Sequence, residues 1–271
     1  MNAAPTSADS GSTERAEGPA LAARGLGVRF GDRWVLRDVD VVIRAGERVC
    51  LIGPNGAGKS TLIRCLTGIQ APTTGQALLG SEEVGPIDRS VLARRLAVVP
   101  GQARLPFAMN VAEMVALGRT PWLHPWRGES AADHAATDTA MRRVGIEGMR
   151  ERDVRTLSLG ERQLVLIATA LGQGGRVLVL DEPTVHLDLR HQVAVMELLA
   201  RLSDEEGLTV LAVLHDLALA RESFPRLVLL DGGRLIADGS PASVLTPDRI
   251  RDVYGVDPRF VHGAAGSMVG A

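Results

Sequence analysis

The consecutive residues Gly53-Pro54-Asn55-Gly56-Ala57-Gly58-Lys59-Ser60-Thr61 satisfy the pattern G-x-x-x-x-G-K-S/T in full. Glycines at 53, 56 and 58 let the backbone turn successive N–H groups inward as an anion nest. A helix opening behind them adds its own unpaired N–H groups. The Lys59 ammonium would reach the β- and γ-phosphates of a nucleotide, and the Ser60 hydroxyl would hold Mg²⁺. Composition adds a second reason to read the segment as chemistry rather than as a chance glycine turn. Lys59 is the only lysine, and the rest of the 30 basic residues are arginine. A compact, rotatable ammonium stands at the one place where a planar five-donor fork would not fit.

Two further segments could act on a bound triphosphate. VLVLDEP ends an apolar run with Asp181 and Glu182. Asp181 can hold Mg²⁺ directly or through water, and Glu182 can orient or deprotonate an attacking water. Alone, an Asp-Glu pair at a strand end is more often a solvated cap; beside a phosphate loop it reads as a nucleotide-hydrolysis site. LSLGERQ, residues 157–163, opens an apolar helix and has the form of a capping box, Ser158 with Glu161 three residues on. A serine hydroxyl at such an N-terminus can also clamp a γ-phosphate. His215 ends LTVLAVL beside Asp216, a strand-end position that favours a role at the site over that of a satisfied core histidine. The remaining histidines suggest no metal centre. His186 and His191, five apart, are expected on different helix faces, and His124, His134 and His262 lack partners.

These groups need rigid elements to hold them. The segment 35–43 alternates apolar and polar residues before the turn Ala45-Gly46-Glu47, and 48–52 reads as a short buried strand running into the phosphate loop. Helix follows over 61–66 with Gly68 as its stop, then a turn at 71–75 and a strand near 77–79. A mostly helical stretch is expected over 89–148, broken by proline turns at 100–106 and 121–125. Strands are expected at 177–180 and 208–214, and a hairpin at 227–238 across Gly232-Gly233. Ser240-Pro241 and Thr246-Pro247 read as N-caps followed by proline at the first helical position. Strands alternating with helices, with polar motifs at the strand ends, indicate an α/β sheet covered on both faces. Ligands in such sheets sit beyond the carboxyl ends of the strands.

Composition narrows the class. With 271 residues, 45% hydrophobic and 23% charged, the chain has globular proportions, and its net charge of −2 excludes the basic footprint of a nucleic-acid binder. No nucleic-acid partner is expected. Cys50 and Cys65 lie inside apolar stretches and suggest no disulfide framework. No apolar run approaches the roughly 20 residues of a membrane span. Residues 1–19 lack the apolar core of a signal peptide and read as a disordered tail, and 262–271 read as a flexible one. A cytoplasmic protein is expected.

Together the motifs resemble those of ATP-binding cassette (ABC) proteins, from about Leu21 to Val261. LSLGERQ is similar to the family's signature LSGGQ, with Ser158 and Gly160 matching and Leu159 at a variable position. Asp188 in HLD, His215 and Phe30 in VRFGDRWVL also match. The resemblance implies an α/β nucleotide-binding domain over 20–261. It would have a mixed sheet core, an antiparallel β subdomain and a helical subdomain inserted at about 89–160. It implies ATP and Mg²⁺ as cofactors, Phe30 against adenine, residues 53–61 around the phosphates, and Glu182 with His215 as catalytic groups. Ser158, Gly160 and Asp188 would complete the nucleotide site of a second subunit, so a homodimer is implied.

One position departs from the family. Its Q-loop glutamine follows the strand's proline directly, whereas VVPGQARLPF puts Gly101 there and Gln102 one residue later. A one-residue shift in extended chain turns a side chain to the opposite face. Glycine permits φ > 0, and such a turn at 101 is expected to redirect Gln102 to its catalytic and metal-binding place.

Within the family, LGRTPW (117–122), LDLRHQ (187–192) and SPASVLTPDRIRDVYGV (240–256) resemble importers of iron–siderophore, haem or cobalamin. That resemblance implies a peripheral subunit on the cytoplasmic face of the membrane. Its partners would be two polytopic permease subunits, docked near 89–150, and an extracytoplasmic binding protein. The alternative is a soluble ABC ATPase that remodels a macromolecule and moves no solute.

Overall fold

The runs 49–52, 177–180 and 210–213 are apolar throughout, so strands made from them must be covered on both faces. The computed structural model describes residues 19–101, 108–124, 126 and 128–262. Its strands are β1 (Pro19–Phe30), β2 (Arg33–Arg44), β3 (Arg48–Ile52), β4 (Thr74–Leu79), β5 (Glu82–Glu83), β6 (Leu96–Val99), β7 (Val177–Asp181), β8 (Thr209–Val213), β9 (Arg226–Asp231) and β10 (Arg234–Gly239). They form a four-stranded antiparallel sheet, β2-β1-β4-β5, and a six-stranded sheet, β10-β9-β3-β8-β7-β6. The second is mixed: β9, β3, β8, β7 and β6 run parallel, and β10 closes one edge antiparallel.

The helices are α1 (Lys59–Leu66), α2 (Arg89–Arg95), α3 (Val111–Ala116), α4 (Ala131–Val144), α5 (Leu159–Gly172), α6 (Leu189–Asp204), α7 (Leu217–Ser223), α8 (Pro241–Val244), α9 (Pro247–Tyr254) and α10 (Arg259–His262). Period-2 alternation divides the core between the two faces of the parallel sheet. Val49 and Leu51 face the cluster made with the antiparallel sheet and α1, while Cys50 and Ile52 face the cluster made with α3 to α7. Full burial of each such aliphatic side chain stabilises the fold by about 1.5–3 kcal/mol. No helix among the described residues is long and apolar enough to cross a membrane.

Local chemistry fixes the ends of these elements. Gly232 and Gly233 both have positive φ, 52° and 78°, as the tight turn between β9 and β10 requires. Ser240 and Thr246 accept from Ser243 N and Arg249 N, each with proline opening the helix. The stretch 89–148 is less helical than expected, because 96–99 forms β6. A four-residue apolar run shows no period, and pairing with β7 (Leu96↔Val177 to Val99↔Leu180) decides its state.

LGRTPW forms a 3-10 helix, Leu117–Trp122, that braces three helices. A Cβ on Gly118 would lie 2.1 Å from Thr169 O, so glycine is needed for close approach to α5. Arg119 donates to Asp133 Oδ1 on α4 (3.0 Å) and to Gly172 O on α5 (2.8 Å). The guanidinium groups of Arg94 and Arg119 both lie over the Trp122 ring, at centroid distances of 4.6 and 4.9 Å.

Candidate functional site

The carboxyl ends of β3, β7 and β8 carry the phosphate loop, the acidic pair and the histidine. The loop leaves β3 at Ile52 and enters α1 at Lys59, with φ of 150°, 81° and 103° at Gly53, Gly56 and Gly58. Sterics add to the backbone requirement. A Cβ on Gly53 would sit 2.0 Å from Leu230 O, and one on Gly58 would sit 2.6 Å from Leu36 Cδ2. No side chain caps α1, so its first N–H groups remain available to an anion. Lys59 is buried, and its Nζ donates to Gly53 O (2.7 Å) and Pro54 O (3.0 Å). Burial lowers its pKa, against the opposing fields of Glu182 and Asp181.

Asp181 ends β7 with Oδ1 buried and without a hydrogen-bond partner. Its pKa is raised, first by burial and then by Glu182, against the lowering fields of Arg64, Lys59 and His215. Glu182 has φ of 54°, a left-handed conformation, and its N–H donates to Val213 O of β8 at 3.2 Å. That turn brings Glu182 Oε1 to 2.5 Å from Nε2 of His215, which follows β8. Asp216 beside it is occupied in capping α7, accepting from Leu219 N. Phe30 is exposed at the end of β1. Next to it in the same sheet, β2 lies against Gly58 through Val35 O and Leu36.

Ser158, Gly160 and Asp188 form a second group. Ser158 Oγ accepts from Glu161 N, and the Glu161 carboxylate accepts from Ser158 N, so the capping box is formed. Arg152 pairs with Glu161, and with the Ser158 N–H holds its pKa down to about 2. Asp188 caps α6 by accepting from His191 N. Among the described residues, no hydrogen bond or ion pair joins Ser158 or Asp188 to the phosphate loop.

The structure refines the reading of the histidines. His186 lies before α6 with φ of 65°, so the helix-face argument does not apply to it. His191 has partners, Asp188 through a ring nitrogen and Gly160 through ring packing. His134 Nδ1 lies 3.4 Å from Glu129. The contact between His191 and Gly160 had no local signal beyond a ring three residues after an N-cap aspartate.

Gln102 lies outside the described residues. Gly101 does not take positive φ, so the expected left-handed turn is absent. Glycine is required there for a different reason: a Cβ would lie 2.4 Å from Asp181 O and 3.2 Å from Glu182 Cβ. A glutamine at 101 would meet the backbone of the acidic pair.

Phosphate loop, strand-end carboxylates and a positioned histidine define a P-loop nucleotide-binding protein on a mixed sheet. The chain belongs to the ABC transporter family, whose model matches residues 36–185. It is 42% identical over 240 residues to the cobalamin import ATP-binding protein BtuD of Halobacterium salinarum, covering 86% of this chain and 60% of that protein's length. It is 42% identical over 235 residues to the hemin import ATP-binding protein HmuV of Rhodococcus jostii, covering 87% and 80%. A solved ABC transporter in an inward-facing conformation superposes with a TM-score of 0.78 at 25% identity, covering 88% of this chain and 90% of that one. A dimeric ATP-binding cassette in a post-hydrolysis state, bound to ADP and Pi, gives a TM-score of 0.69 at 25% identity, covering 82% and 98%.

Proposed function

We propose that this chain is the ATP-hydrolysing subunit of an importer for iron–siderophore, haem or cobalamin-type substrates, working as a homodimer at the cytoplasmic face of the membrane. The observation that carries the hydrolytic reading is Glu182 held by His215 at the mouth of the phosphate loop. The names of relatives, cobalamin and hemin import ATP-binding proteins, and LGRTPW support the importer reading. Two permease subunits would dock on the helical side, where Leu117, Trp122 and Trp126 are exposed. An extracytoplasmic binding protein would deliver the substrate.

The donor set fits Mg²⁺. Asp181 offers a buried carboxylate oxygen with no other partner, and the Ser60 hydroxyl stands in the first turn of α1. Hard oxygen donors of this kind suit a small divalent cation. When bound, Mg²⁺ would neutralise charge on the β- and γ-phosphates.

The remaining steps belong to the chain's own residues. Phosphate oxygens of ATP would take over the Lys59 ammonium from Gly53 O and Pro54 O, so the cation is already in place when the triphosphate enters. Phe30 would stack on adenine. Glu182 would accept a proton from the attacking water as the new O–P bond forms and the bond to the β-phosphate oxygen breaks, releasing ADP and phosphate. His215 would hold Glu182 in line. Ser158, Gly160 and Asp188 would close on the partner's nucleotide, and Gln102 would contribute if the chain after Gly101 returns it to the site. Uptake of labelled haem, ferric siderophore and cobalamin by a deletion strain tests this. Restoration by the wild type and not by Glu182→Gln is expected; restoration by both would overturn it.

A further inference from the structure

α5 and α6 meet near their N-termini through one ring. A Cβ on Gly160 would lie 2.0 Å from His191 Cδ2, 2.3 Å from Cγ and 2.7 Å from Nε2. Carbon atoms pack at about 3.5–4.0 Å, so the imidazole fills the space that any side chain at 160 would need. The ring is itself anchored. Its Nδ1 lies 2.8 Å from Asp188 Oδ1, the same oxygen that accepts from His191 N at 2.9 Å to cap α6. The neighbouring Gln192 donates to Leu187 O at 3.1 Å and to Thr184 O at 3.4 Å, tying the segment before Asp188 to the first turn of α6.

We propose that His191 is a positioning residue: its ring, anchored on Asp188, sets the separation between the LSLGE segment and the HLD segment of one protomer. Glycine at 160 is then obligatory for a reason internal to the protomer, in addition to any contact with nucleotide. This rests on the reading that Ser158, Gly160 and Asp188 together complete the partner's site. Two segments that must arrive at one nucleotide together gain from a fixed spacing, because docking one then places the other. Without the ring each segment would be ordered separately at closure. The phosphate loop of the same protomer makes none of these contacts, so its affinity for ATP is independent of the ring.

The test uses four variants of the full chain: His191→Ala, Gly160→Ala, the double variant, and Ser158→Arg. Steady-state ATPase is measured beside nucleotide affinity. His191→Ala is expected to lower kcat by about tenfold, below the ~10²-fold that a 1 Å misplacement can cost, with ATP affinity unchanged. Gly160→Ala is expected to lose more, and removing the ring in the double variant should recover part of that loss. A His191→Ala protein with wild-type kcat, with Ser158→Arg inactive, would overturn the proposal and leave completion by the partner standing. An active Ser158→Arg protein would overturn that completion itself, and the proposal with it.

Discussion

Glu182 occupies a backbone conformation that costs a non-glycine residue roughly 1–3 kcal/mol. The β7–β8 pairing holds it there, with Glu182 N bonded to Val213 O, and the turn aims its carboxylate at His215. Replacing the carboxylate by its amide keeps shape and removes the base. Glu182→Gln is expected to slow hydrolysis by at least ~10²-fold with ATP affinity retained, and to migrate as a dimer in gel filtration with Mg-ATP. Unchanged turnover would count against Glu182 as the base. Asp181 works in the opposite direction on stability. Its pKa is raised by burial and by Glu182, so the folded state disfavours its charged form. That contribution is harmless below the ordinary carboxylate range and becomes a loss as pH rises through the raised value. At neutral pH, Asp181→Asn should therefore stabilise the nucleotide-free protein, with Tm higher by about 2–4 °C for each 1 kcal/mol gained, while Mg-ATP hydrolysis is lost. Calorimetry showing a lower Tm would refute this.

Two of the longer helices, α4 and α5, start on caps closed by a carboxylate, and those caps set an acid limit. Glu161 is held down to about 2 by Arg152 and the Ser158 N–H, and Asp133 to about 2 by Ser130 and Arg119. A depressed carboxylate stabilises the fold above its unfolded pKa and loses that contribution as pH falls through the folded value. Helical circular dichroism is expected to fall between about pH 4 and pH 2. Glu161→Gln should flatten part of that transition, and a profile identical to the wild type would separate the cap from acid stability. The Ser158–Glu161 cap was legible in the sequence because serine and glutamate three residues apart carry their own geometry. The phosphate loop, the acidic pair and the Gly232-Gly233 hairpin were legible for the same local reason. β6 was not, because its partner β7 lies some eighty residues away in the chain. Nor were the roles of Gly101, Gly118 and His191, each set by an atom brought near only by folding.

At the scale of the whole molecule the two groups of site residues are carried by different regions, the nest and carboxylates at the strand ends and Ser158 at the start of α5. If Ser158 acts on a partner's nucleotide, as proposed, a chain with one phosphate loop would need a second copy to finish either site. Mixing Ser158→Arg subunits with Lys59→Ala subunits should leave one complete site per heterodimer, formed by the wild-type loop of the first and the wild-type signature of the second. ATPase above that of both parents is the expected outcome, with each parent near background. Clear activity in the Ser158→Arg protein alone would contradict a shared site.

The solitary lysine has a consequence outside catalysis. A protease that cleaves only after lysine has one target bond in the entire chain, Lys59–Ser60. That bond sits where the strand-to-helix loop is packed against Leu36 and Leu230 and where Lys59 is 6% exposed. Cleavage therefore requires opening of the loop or of the whole domain, and its rate follows the population of that open form. One cut, yielding two fragments, would act as a clock for opening of the nucleotide cradle. Added ATP should slow it in proportion to the fraction of protein that is loaded.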